Sequence, residues 1–89
     1  MRTIIYVAID YAQNYQGVCT VTTHLTLDEA KKAIDSRGQW DALREHPDWK
    51  EPKWIEVYDS EDNPQPVQWY PEGYEGWFEI YITVVGKQY

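Results

Sequence analysis

The chain has 89 residues, enough for one domain built around one core. Its formal net charge of −7 argues against binding a nucleic-acid backbone, which needs Lys and Arg to replace counterions. The apolar run Ile4 to Ile9 ends at Asp10, too short for either a secretory leader or a membrane span.

Thr3 to Tyr11 is rich in β-branched and aromatic residues and reads as a first strand. Ala12 to Gly17 is a polar connection, and Val18 to Thr23 a second strand, so residues 3–23 read as a β-hairpin. A helix follows from Thr26 to about Arg37. Thr26 and Glu29 form a capping box, and Leu25 is placed to staple onto Ala30. Asp28 and Glu29 sit at the positive end of the dipole, and Gly38 is a candidate left-handed terminator. Leu27, Ala30, Ala33 and Ile34 make one narrow apolar stripe, opposite Lys31, Lys32 and Asp35.

Gln39 to Glu45 fits one or two further helical turns, stopped by Pro47. Lys53 to Asp59 is a third strand. Ser60 to Pro66 is an acidic, proline-marked turn, and Val67 to Tyr70 a short extended piece. Trp77 to Val85 is the last strand. The expected fold is a single α+β domain over residues 1–89: an antiparallel sheet of about four strands in ββαββ order, with one main helix on one face.

Alternation sorts the strands into two faces. An aliphatic set, Ile5, Val7, Ile9, Cys19, Val21, Ile55, Val57, Phe78, Ile80, Ile82 and Val84, is expected to meet the helix. The opposite face then gathers Tyr6, Trp54, Glu56, Tyr58, Trp77, Glu79 and Tyr81 into one aromatic and acidic patch free of helix. Tyr and Trp anchor interfaces because each offers rigid area and a hydrogen bond. These seven residues are the candidate partner-binding site. Two bland arrangements explain the same residues: the aromatic loops 39–54 or 67–77 folded across that face as a second small core, or cross-strand pairs that only stabilise the sheet.

The charge is lopsided. Residues 1–44 carry five basic and five acidic side chains, whereas residues 45–89 carry three and ten. Such a half suits a protein partner with a basic surface, although acidity of this size also serves solubility alone. Catalytic and metal signals are weak. His24, His46 and Cys19 lack zinc-site spacing. Asp59 to Asn63 lacks the glycine and distal glutamate of a calcium loop. No phosphate-cradling glycine loop or nucleophile elbow is present. The expectation is a non-enzyme without cofactor or metal. Its single cysteine points to a reducing compartment, and the cytoplasm is the expected location.

The opening Thr3-Ile4-Ile5-Tyr6-Val7, followed by a second strand running into Thr26-Leu27-Asp28-Glu29-Ala30-Lys31-Lys32-Ala33-Ile34, resembles small uncharacterised bacteriophage and prophage accessory proteins. The likeness covers about the first 35 residues and brings no family site residues with it. Several phage inhibitors of bacterial defence proteins are similar in size, acidity and lack of catalytic motifs. The resemblance implies an inhibitor of a host protein; the aromatic face docking, with acidic side chains steering the encounter, makes occlusion its expected mode of action. A small-molecule binder using Trp69, Tyr70 and Tyr74, and a homodimer closed over its own aromatic face, are the alternative readings.

Overall fold

The computed structural model describes residues 2–11, 19–36 and 38–86. The strands are β1 (Arg2–Asp10), β2 (Thr20–His24), β3 (Trp54–Val57), β4 (Gln68–Pro71) and β5 (Phe78–Gly86); the helices are α1 (Leu27–Asp35) and α2 (Gly38–Arg44). All strands pair antiparallel in the order β2-β1-β5-β4-β3. The α+β class holds. The strand count rises from four to five because the short piece at 67–70 is a true strand, paired with β3 on one side and β5 on the other. The polar connection at 12–17, together with Val18 and Arg37, lies outside the described residues.

The strand order explains where the helices go. β2 and β3 follow one another among the strands of the chain but lie at opposite edges of the sheet. Four inter-strand gaps of roughly 4.8 Å separate them, so the connection must cross one face, and α1 and α2 form that crossing. α1 lies against β1, β2 and β5. Its N-cap is the expected one: the Glu29 amide donates to Thr26 Oγ1 at 3.2 Å. Its C-terminus is not. Ser36 caps it, with its amide donating to Lys32 O at 3.0 Å, and Gly38 opens α2 instead. Leu25 is 68% exposed and does not staple. Arg44 ties α2 to α1 by pairing with the Asp35 carboxylate, and donates to Asp41 Oδ1 at 3.0 Å.

The core joins Ala8, Ala30, Ile34, Trp40, Trp69, Phe78 and Ile80. Burying side chains such as Phe78 and Ile80 contributes about 1.5–3 kcal/mol each. Small Ala8 and Ala30 let α1 approach the sheet, and Trp40 of α2 fills the space beyond it. Trp40 is edge-on to Phe78 at 5.0 Å and stacked on Trp54 at 6.1 Å with 10° between planes.

This core corrects the expected faces. On β5 the inner side is the expected one: Phe78 and Ile80 are in the core and Ile82 packs against it, but Val84, further along the strand, is 52% exposed and does not join them. On β1 and β3 it is reversed. Tyr6 and Ala8, not Ile5, Val7 and Ile9, point to the helices, and so does Trp54, not Ile55 and Val57. β2 follows β1 through the pairs Ala8–Thr22 and Ile9–Val21, which put Val21 on the far face. Cys19 is exposed just before β2. The physical reason is volume. Two short helices leave a gap that aliphatic side chains would not fill, and indole and phenol rings do.

Candidate functional site

The helix-side face is laid out in rows across the ladders. One row runs Thr22, Ala8, Ile80, Trp69, Glu56; the next runs His24, Tyr6, Ile82. α1 covers Ala8 and Ile80, and α2 with the following loop covers Phe78 and Trp54. Neither helix covers the end of the face beyond Leu27. There a cleft of about 370 Å³ opens between the start of α1 and the β3–β4 turn. Its floor is Tyr6 and Ile82, which pair directly, and it continues to Ile4, 47% exposed. Trp69 forms a second aromatic wall, its ring 5.8 Å from that of Tyr6 and tilted by 48°. Gln65 and Pro66 close the turn side. Among the described residues that line it, the one carboxylate is that of Glu56, which is exposed. The neighbouring turn adds Asp59, Glu61 and Asp62, all exposed. It is held by Asn63 Nδ2 donating to Asp59 Oδ1 at 3.0 Å and by the Gln65 amide donating to Asn63 Oδ1 at 2.9 Å.

The seven expected partner-binding residues therefore do not share one face. Tyr6 and Glu56 meet in this cleft. Trp54 lies on the same side but stacks on Trp40, with Lys31 Nζ 5.8 Å above its ring. Tyr58 stands just past β3, 48% exposed. Trp77 is edge-on to Tyr74 at 5.6 Å beside the core. Glu79 and Tyr81 are on the opposite face, where Tyr81 lies between Val7 and Gln68. The aromatic loops did fold into the core, as one of the bland arrangements anticipates, but on the helix side. Trp69 is the wall residue absent from the expected site. Its signal was the extended piece at 67–70; read as a strand beside the last one, that piece puts Trp69 next to Ile80.

A second cleft, of about 460 Å³, is lined by Leu43, His46, Asp48, Trp49, Lys50 and Tyr74. The Trp49 and Tyr74 rings are 6.0 Å apart. His46 Nδ1 accepts from the Asp48 amide at 3.2 Å, and His24 Nε2 is 2.8 Å from Thr22 Oγ1. Among the described residues no three His, Cys, Asp or Glu side chains converge on a common point.

The opposite sheet face carries Val7 and Ile9, both buried, with Val21 and Val85 each 56% exposed. Glu79 accepts a hydrogen bond there from the Tyr11 hydroxyl at 3.0 Å. Burial of Tyr11, and then its bond to the Glu79 carboxylate, push the phenol up to about 12.

No protein-family model, curated protein or solved structure matches this chain. No helix among the described residues is long and apolar enough to cross a membrane.

Proposed function

We propose that the chain is a non-enzymatic interaction protein that occludes a protein partner through the cleft framed by Tyr6, Glu56 and Trp69. One observation carries this reading: aromatic walls from β1 and β4 meet a lone carboxylate from β3, at the end of the sheet that neither helix covers. Aromatic walls supply contact area at low entropic cost, and the acidic turn at 59–62 steers a basic surface toward them. The likeness of the opening residues to phage accessory proteins makes an inhibitor of a host protein, such as a defence protein, the specific form of this reading. The cytoplasm is then its place of action.

The test is capture of a partner from bacterial lysate by the wild-type chain and by two folded variants. Ile4→Arg with Glu56→Lys reverses the cleft without touching the core. Val21→Arg with Val85→Arg alters the opposite face instead. Release of the same partner by the first pair alone supports the cleft. Release by the second pair alone moves the surface to the opposite sheet face, and release by neither removes both.

A small planar ligand is the second reading, favoured by the Trp49–Tyr74 cleft with its mixed lining of His46, Asp48 and Lys50. A co-purifying mass of metabolite size in native mass spectrometry, or a raised melting temperature on adding it, would select that reading. A clean dimer mass would instead favour self-association through the opposite sheet face at its exposed Val21 and Val85.

A further inference from the structure

β3 is an edge strand, and its hydrogen-bonding parity can be read from its partners. The carbonyls of Lys53 and Val57 both accept from the β4 side, from the Glu72 and Val67 amides at 2.8 Å each. Alternate residues of an antiparallel strand point their backbone groups to opposite sides. Lys53, Ile55 and Val57 therefore face β4, and the N–H and C=O of Trp54 and Glu56 face outward at the free edge of the sheet. Pro71, which has no N–H to offer, sits opposite Trp54, where the β3 ladder asks for none. An outward-facing edge is a template for another extended chain.

The side chain of Glu56 and its outward backbone groups thus serve one site. A strand added along β3 would hydrogen-bond to the Glu56 main chain. Its residue opposite Glu56 would lie about 4.5–5.5 Å away by Cβ, on the cleft side of the sheet. Opposite charges are favoured in such pairs. A long cationic side chain there can lie beside the Glu56 carboxylate and extend over β3 toward Trp69, the next residue in the row, where an aromatic ring attracts cations within about 6 Å. The cationic groups nearby lie toward the other end of β3: Lys53 precedes it, and Lys31 occupies the ring of Trp54. They leave Glu56 as the position that accepts a positive charge.

We infer that the chain binds an extended segment of a protein partner along the free edge of β3, with a lysine or arginine of that segment seated against Glu56 at the β3 side of the cleft. This rests on the occlusion reading above and names the partner chemistry it uses. A cleft of about 370 Å³ fits it, since it admits a side chain or two and not a folded element.

The test is NMR with short peptides carrying lysine or arginine between leucines, each compared with the same peptide carrying norleucine. Binding of the basic peptides is expected to shift the Trp69 indole N–H and to slow exchange of the Trp54 and Glu56 amides, leaving those of Ile55 and Val57 little changed. Norleucine in place of the cation, or Glu56→Gln, should weaken binding about tenfold, and added salt should weaken it further. Methylating the peptide amide that pairs with Glu56 should abolish protection. Equal binding of the norleucine peptide overturns the cation, and shifts at Trp69 without amide protection overturn the edge strand. Equal shifts from choline alone make this a small-cation site and overturn the peptide. If no peptide perturbs Trp69 while Ile4→Arg with Glu56→Lys still releases a captured partner, this inference fails and the occlusion reading survives.

Discussion

Glu56 and Trp69 stand directly opposite each other across the β3–β4 ladder, one exposed and the other 4% exposed. They share a cleft wall but carry different loads. Trp69 belongs to the core, so Trp69→Ala should cost about 3–5 kcal/mol. Glu56→Gln should stay within about 0.5 kcal/mol. Urea denaturation of both variants checks this, and equal losses would mean that Glu56 is structural. The separation is what makes Glu56 a clean probe of binding.

Trp40 offers a sharper test of the core. It is 2% exposed, touches Phe78, Trp54 and Trp49 by ring contact, and its Nε1–H has no acceptor among the described residues. Trp40→Ala should cost about 3–5 kcal/mol. Trp40→Phe should cost much less, because it removes a buried unpaired donor worth about 1–3 kcal/mol of penalty while keeping an aromatic ring. Equal losses for the two variants in thermal or chemical melts would show that the N–H is satisfied in solution.

Tyr11 sets an alkaline limit. Its pKa is raised to about 12 from an ordinary value of 10, through burial first and then the Glu79 carboxylate. The unfolded chain loses this proton before the folded one does. The stability linked to Tyr11 is therefore complete below about pH 10 and is lost as the pH rises from there toward 12. Tyr11→Phe should remove that component of the fall. Ultraviolet titration should find one phenol ionising late, and Glu79→Gln should bring its midpoint down. A phenol in the ordinary range would contradict the Tyr11–Glu79 bond.

Thr26 should behave as a true N-cap. Its hydroxyl oxygen accepts from the Glu29 amide, so Thr26→Ala should cost about 1 kcal/mol, while Thr26→Asp or Thr26→Ser should restore it. Because α1 covers the sheet next to the cleft, the alanine variant should also raise amide exchange through Leu27 to Ala30. Unchanged stability would mean that tertiary contacts alone hold that end.

What the chain determines locally was legible in its residues: the N-cap at Thr26, the stripe of Ala30 and Ile34, the second helix before Pro47, the last strand and the α+β class. Each depends on neighbours within a few positions, where propensity and periodicity act. What only the tertiary structure decided is non-local. β1 has apolar residues on both parities, Ile4, Tyr6 and Ala8 against Ile5, Val7 and Ile9, so alternation could not choose its inner face. The choice came from the volume beneath two short helices, which Tyr6, Trp54 and Trp69 fill. The pairing of β5 with β1 joins opposite ends of the chain, and β4 inserts between β5 and β3. Register of that kind is set by which side chains fit together, not by any one segment. The cleft follows from it: Tyr6, Glu56 and Trp69 are far apart in sequence, and only the strand order places them on one wall.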